Sequence, residues 1–261
     1  MTDAAANRPA AAEAAYEAFA SAYDDFTHAY LNEQWTGRLL AKARRWAPLE
    51  GQRLLDVACG TGKSFIPMLE RGWKVTACDI SPAMVEVARK KAGDAATLLV
   101  ADMRELPLLG GFDLVWALDD AVNYMLSPAE LEASVVGMAR NLEPAGVLLF
   151  DVNTLLVYRT FFATETVVEQ GGRRLTWRGE MDPDAVGPGS VSSAVLEADD
   201  GSMPTHTHVQ RHFTEAEILA AIESAGLSCR EIVGELEGEL SEGANEDVHT
   251  KAIYVCTSEH G

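Results

Sequence analysis

Five short apolar runs punctuate the chain: Arg53–Val57, Trp73–Asp79, Ala96–Ala101, Phe112–Leu118 and Val147–Val152. Each has the length of a strand buried on both faces. Helical periodicity separates them over about Gly62–Arg71, Pro82–Ala92 and Ala129–Asn141, and this alternation predicts parallel βαβ units. Pro144-Ala145-Gly146 marks the turn into the fifth strand. Ahead of the first strand, Ala11–Trp46 reads as helical, with Tyr16, Phe19, Tyr23, Phe26 and Tyr30 recurring at spacings of three and four. After Asn153 the period drops to two. Thr166–Glu180, Ser190–Leu196 and His206–Phe213 alternate like antiparallel strands, with Gly171-Gly172 and Gly187-Pro188-Gly189 as turns. Thr214, with Glu215 and Glu217 behind it, caps a last helix that ends near Gly226. Ser228–Leu236 and Lys251–Thr257 then form a closing hairpin around the acidic stretch Glu237–Asp247. The predicted fold is α/β: a doubly wound, mostly parallel seven-stranded Rossmann-like sheet with a small antiparallel β lid inserted after the fifth strand. The expected division is a tail and lid helices over 1–46, a core over 47–160 and 214–261, and the β lid over 161–213.

The densest chemical signal lies at the end of the first strand, Leu54-Leu55-Asp56-Val57-Ala58-Cys59-Gly60-Thr61-Gly62. Two glycines without Cβ atoms let backbone N–H groups approach a ligand closely, and a following helix N-terminus favours negative charge. A dinucleotide fingerprint needs a third glycine three residues on, where this chain has Phe65. Asp79 ends the second strand, where a carboxylate accepts from two ribose hydroxyls. Asp102-Met103 follows the third, where an acid accepts from an adenine amine and the next N–H donates to the ring. Three successive strand ends thus furnish an adenosine site without a pyrophosphate site. Taken singly, each residue also has a plain structural role. Gly60 and Gly62 make a turn, Asp56 bonds that turn, Asp79 caps the helix near Pro82, and Asp102 is a loop acid.

Leu54–Gly62, Asp79, Asp102-Met103 and Phe112-Asp113-Leu114-Val115 resemble the motifs of class I S-adenosylmethionine-dependent methyltransferases. Leu118-Asp119-Asp120-Ala121-Val122-Asn123-Tyr124 and Phe150-Asp151-Val152-Asn153-Thr154 resemble a subgroup acting on small molecules, including N-methyltransferases of amino sugars and antibiotic precursors. The resemblance covers roughly residues 16–160. It implies S-adenosyl-L-methionine as cofactor, held by Tyr16, Asp56, Ala58, Gly60, Thr61, Gly62, Asp79, Ile80, Met84, Asp102, Met103 and Leu118. It also implies an N-terminal helix folded over the cofactor, presenting Tyr16 and Tyr23 to the sulfonium. Asn123, Tyr124, Tyr23 and His208 are the expected catalytic residues. Asn123 stands where some amino-sugar relatives carry a histidine.

The 261 residues carry a formal net charge of −19, which argues against a nucleic-acid partner and suits a neutral or cationic small molecule. No apolar run is long enough for a membrane span. The alanine-rich start lacks the pattern of a signal peptide and reads as a mobile tail. Cys59, Cys78, Cys229 and Cys256 are too scattered for a zinc site or dithiol pair and fit reduced, buried thiols. No metal is expected, the compartment is expected to be cytoplasmic, and the chain to be a monomer or homodimer. On the acceptor side, Asp119, Asp120, Asn123 and Tyr124 follow the fourth strand, where ligands of open α/β sheets bind. His206, His208 and His212 share one face of a lid strand, with Arg211 beside them. The leading expectation is methyl transfer to a nitrogen. A hydroxyl or carboxyl acceptor is the alternative, and an NAD(P)-dependent oxidoreductase or a non-catalytic cofactor-binding protein stands further off.

Overall fold

The computed structural model describes residues 8–29 and 32–258. Tyr30, the first seven residues of the expected tail and His260 lie outside that set. The segment expected to be one helical stretch is three helices: α1 (Arg8–Phe19), α2 (Tyr23–Phe26) and α3 (Asn32–Ala43).

The core then alternates as expected: β1 (Arg53–Val57), α4 (Ile66–Glu70), β2 (Lys74–Asp79), α5 (Pro82–Ala92), β3 (Ala96–Val100), β4 (Phe112–Ala117), α6 (Pro128–Ala139) and β5 (Leu142–Asn153). Central strands β1 and β4 are the most deeply buried, with Leu54, Leu55, Leu114 and Val115 fully enclosed, as their unbroken apolar sequence requires. Edge strand β3 leaves Val100 exposed. After a short α7 (Leu155–Arg159) the chain forms β6 (Glu165–Gln170), β7 (Arg173–Gly179), β8 (Val191–Ala198) and β9 (His206–Arg211), which pair in sequence order as a separate antiparallel sheet. It returns through α8 (Glu215–Ser224), β10 (Leu227–Leu236), β11 (Glu239–Glu242) and β12 (Lys251–Ser258).

The main sheet has the order β11-β10-β12-β5-β4-β1-β2-β3. Strands β1 to β5 pair in parallel and β10 to β12 antiparallel. There are eight strands rather than seven, because part of the acidic stretch folds back on β10 as the edge strand β11. Two local expectations also change. The helix after the glycine turn begins at Ile66, not Gly62: residues 63–65 form turns, and Pro67 sits in the first helical turn where no N–H is needed. Strand β5 begins at Leu142, and Pro144-Ala145-Gly146 lies within a register shift between Phe112↔Leu142 and Leu114↔Val147. Other local signals hold. Thr214 and Glu217 form a reciprocal capping box, and Gly226 follows α8 with φ +71°.

Two apolar cores cover the two faces of the main sheet. A third lies between the lid and the N-terminal helices and contains Phe19, Tyr158, Phe162 and Trp177. Helix α1 packs against β9, so the lid and the N-terminal helices meet beside the exits of β4 and β5. Among the described residues, no helix is long and apolar enough to cross a membrane.

Candidate functional site

Two cavities open at these strand ends. The first runs along the ends of β1, β2, β3 and β4. Its walls include Ala58, Gly60, Asp79, Ile80, Asp102, Met103 and Leu118, with Tyr16 and Tyr23 above. Backbone geometry shapes it. Ala58 has φ +59°, Gly60 +53° and Gly62 +88°, so the chain leaves β1 in the left-handed region and brings the Gly60 amide onto Asp79. A Cβ on Gly62 would strike the Phe65 ring, which fills the place of a third glycine.

Asp79 holds this turn. One oxygen accepts from Gly60 N at 2.8 Å and the other from Ser81 N at 2.9 Å. Each oxygen keeps a lone pair for a ligand. Burial raises its pKa to about 6, against the opposing effect of the amides of Ser81, Gly60 and Ile80. The helix-capping role falls to Ser81, whose hydroxyl accepts from Met84 N. Asp102 also lines the cleft, but Arg104 grips its carboxylate through Nε at 2.9 and 3.0 Å and Nη2 at 2.5 Å. An adenine amine would share that carboxylate with the guanidinium.

Four residues expected at the cofactor do not face the cleft. Asp56 is buried beneath the turn, where Oδ2 accepts from Ser64 Oγ at 2.5 Å. Its other oxygen has no partner, and burial lifts the pKa to about 7. Thr61 is buried, and its hydroxyl donates to Asp24 of α2 at 2.7 Å. Gly62 lies behind the turn against Phe65. Met84 is fully enclosed in the core under the lid. Sequence reasoning missed the residues that latch the N-terminal helices over the cleft. Glu17 Oε2 accepts from Ser81 Oγ at 2.8 Å and from Ala83 N at 2.9 Å, at the N-terminus of α5. Lys63 Nζ donates to Thr27 O at 2.6 Å. An isolated glutamate or lysine in a helical stretch carries no signal for such distant partners.

The second cavity, of about 760 Å³, lies between the N-terminal helices, the lid and the β10–β11 hairpin. Phe19, Phe26, Phe161, Phe162 and Trp177 form one wall, with Phe161 and Trp177 stacked at 4.6 Å between centroids. Asp119, Asp120, Asn153, Gln210 and Lys251 form the opposite wall. Tyr16, Tyr23, Asp119 and Tyr124 line both cavities, so the two spaces meet at these four side chains.

The turn after β4 is held from below. Asp119 and Asp120 have φ +57° and +54°. Asp151, wholly buried on β5, accepts from the amides of Asp119 at 2.7 Å and Asp120 at 2.9 Å. Lys251 Nζ lies 2.7 Å from Asp151 and 2.9 Å from Asp120. Burial alone would lower the lysine pKa, but Asp120, Asp151 and Asp119 outweigh it and push it well above its usual value. Gln210 extends the network to Asp120 at 2.6 Å and to Asn153 at 3.0 Å. The Asp119 carboxylate itself accepts no hydrogen bond from any described residue. Burial raises its pKa to about 6, with Lys251 lowering it and Asp151 and Asp120 raising it.

Of the expected catalytic residues, Tyr23 and Tyr124 stand at the junction and His208 in the second cavity. Tyr124 Oη and His208 Nδ1 share a hydrogen bond of 2.8 Å. Burial, with His206 beside it, lowers the His208 pKa to about 3, so the imidazole is neutral at physiological pH and a poor proton acceptor. Asn123 does not reach either cavity. It is fully buried, donating to Arg211 O and accepting from Asn153 N at 2.9 Å each, and so ties the turn to the lid. The other lid candidates are structural too. His206 bonds Pro204 O, His212 bonds Glu246, and Arg211 pairs with Glu217 at 2.7 Å. Lys251 and Gln210 were invisible in sequence, because nothing local marks residues brought to the turn from 131 and 90 positions away.

Residues 54–146 match a methyltransferase domain family model. YqeM of Bacillus subtilis (strain 168) is 34% identical over 158 residues, 59% of this chain, and the alignment spans 62% of that protein. A dTDP-3-amino-3,4,6-trideoxy-alpha-D-glucopyranose N,N-dimethyltransferase of Streptomyces venezuelae is 29% identical over 74% of this chain and 79% of its own. Among solved structures, an S-adenosylmethionine-dependent methyltransferase from Clostridium acetobutylicum ATCC 824 superposes with a TM-score of 0.76 at 20% identity, over 94% of this chain and 99% of that one. The left-handed turn and the two acids of the strand-end cleft lie within the stretch that matches the methyltransferase domain family, and the chain is similar in fold to an S-adenosylmethionine-dependent methyltransferase and in sequence to an N,N-dimethyltransferase of an amino sugar.

Proposed function

We propose that the protein methylates a nitrogen of a small-molecule acceptor, with the cofactor in the first cavity and the acceptor in the second. The observation that carries this reading is the junction, where Tyr16, Tyr23, Tyr124 and the unpaired Asp119 carboxylate line both spaces.

S-adenosylmethionine, when bound, supplies an electrophilic methyl group on a sulfonium. Gly60 and the residues around it would receive its polar end, Asp79 its ribose, and Asp102-Met103 its adenine. The chain's own residues do the rest. Tyr16, Tyr23 and Tyr124 exclude water and face cationic groups with their ring faces. Burial and its tyrosine neighbours keep the Tyr16 phenol protonated, and burial with Asp120 does the same for Tyr124. Both therefore act as neutral hydrogen-bonding and steric guides that orient the incoming amine. An amine entering as ammonium must lose a proton before its lone pair can attack. Asp119, with a pKa near 6, is ionised at neutral pH and placed to take that proton. The test is incubation with methyl-labelled cofactor and a panel of small amines and alcohols. Products heavier by one methyl on nitrogen support the reading, and transfer confined to hydroxyl or carboxyl acceptors refutes it.

A further inference from the structure

The second cavity carries an uneven charge. Five carboxylates line it, Asp119, Asp120, Glu235, Glu237 and Glu239, against two cations, Arg38 and Lys251. Each cation already has a carboxylate partner. Lys251 is enclosed by Asp120 and Asp151, both within 2.9 Å. Arg38 donates to Gly238 O and to Glu239 at 2.8 Å. His208 is neutral. Among the described lining residues, then, no cation lacks a carboxylate partner, and carboxylates outnumber cations. A bound phosphate is ordinarily held by free positive groups.

The acids are distributed to guide a cation inward. Glu237 and Glu239 belong to the β10–β11 hairpin at the outer rim, while Asp119 and Asp120 stand at the inner end beside the cofactor cleft. The wall opposite is aromatic: Phe19, Phe26, Phe161, Phe162 and Trp177. Trp177 stacks on Phe161 and meets Phe162 edge-on at 5.3 Å, which gives a rigid apolar surface rather than a lattice of hydrogen-bonding groups.

We infer that the acceptor is a cationic amine carried on an apolar, ring-bearing body, without a phosphate or nucleoside diphosphate. This rests on the amine reading above and narrows it. The acidic rim draws in the ammonium and disfavours a diphosphate, the aromatic wall covers the ring, and Asp119 removes the proton at the junction. The net charge of −19 adds a long-range field of the same sign.

The test compares 2-phenylethylamine and tryptamine with one amino sugar offered free and as its dTDP conjugate. Binding is read by calorimetry on the full chain saturated with S-adenosylhomocysteine, and turnover by product mass. The arylalkyl amines should bind at least tenfold more tightly than the dTDP conjugate, and the free amino sugar more tightly than its conjugate. Raising salt should weaken amine binding and strengthen conjugate binding. The double variant Glu237→Lys and Glu239→Lys, its fold checked by unchanged S-adenosylhomocysteine affinity, should narrow the preference at least tenfold. Equal or tighter binding and turnover of the dTDP conjugate by the natural chain would overturn the inference and leave the amine reading standing. Methylation of alcohols alone would remove both.

Discussion

The two cavities are built by different means. The first cavity, the proposed cofactor cleft, is shaped largely by main chain: the left-handed exit of β1, the glycine turn held by Asp79, and acids at successive strand ends. Its parts follow one another within about fifty residues. The second cavity, the proposed acceptor space, is made of side chains from α1, α3, the β4 exit, β5, the lid, the β10–β11 hairpin and β12. Its central charges, Asp119, Asp120, Asp151 and Lys251, are held by one another rather than by a local motif. A backbone site can accept one constant ligand across many proteins. A side-chain site can be re-lined for a new acceptor while the sheet beneath stays the same.

The sharpest test of that division is Asp119→Asn. It should lower kcat by about 10²- to 10⁴-fold, the range of a lost proton acceptor, and leave S-adenosylhomocysteine affinity within threefold. Because the Asp119 pKa is raised to about 6, the carboxylate is ionised above that pH and protonated below it. The natural enzyme should gain activity as pH rises through about 6, and the variant should lose that limb. An unchanged pH profile would move the proton-accepting role elsewhere.

Lys251→Met should destabilise the fold by about 3–5 kcal/mol, because it leaves Asp120 and Asp151 uncompensated in the interior. It should also move the Asp119 limb to higher pH, since Lys251 lowers that pKa. Lys251→Arg keeps the charge and should restore the limb. A variant that loses stability without moving the limb would confine Lys251 to folding.

Asp79→Ala belongs to the other cavity. It should cost about 2–4 kcal/mol in cofactor affinity through lost charged hydrogen bonds, with acceptor preference unchanged. Calorimetry with S-adenosylhomocysteine measures it. Asp79 also bonds Gly60 and Ser81, so a parallel thermal melt should show the chain still folded. Unaltered affinity in a folded variant would remove Asp79 from the cofactor site.

The narrowest effect, confined to one pH window, is expected at Asp56→Asn. Burial raises the Asp56 pKa to about 7 in the folded chain, whereas the unfolded chain titrates it near 4. Between those values the folded state holds the extra proton, so this group's contribution to stability falls as pH rises from about 4 to 7. Asparagine cannot ionise. Its variant should melt above the natural chain at pH 8, and the gain should shrink as pH falls and vanish below pH 4. A gain independent of pH would show that Asp56 is not ionising in place.

Legibility in the sequence follows the same division. The glycine turn, Asp79 and Asp102 could be read because each is a strand end followed by a turn, and the spacing of strand ends along one chain is a local property. Tyr16, Tyr23 and Tyr124 were expected from resemblance, and His208 from the alternation of β9. Asn123 misled because its neighbours on the β4 exit do line the site, yet a left-handed pair at Asp119 and Asp120 turns Asn123 into the interior. Asp56 and Met84 misled because both lie in the interior beneath the cleft, Asp56 bonded to Ser64 and Met84 packed in the core under the lid.

By itself, the sequence determined the order of strands and helices, the parallel core, the inserted antiparallel sheet and the glycine turn at the end of β1. These follow from periodicity, glycine and strand-end acids acting over short spans. Only the tertiary structure decided which acids stay ionised, which histidine stays neutral, and that Lys251 neutralises the turn beneath the junction. Those outcomes depend on burial and on charges brought together from more than a hundred residues apart, and burial sets the dielectric in which each charge is felt.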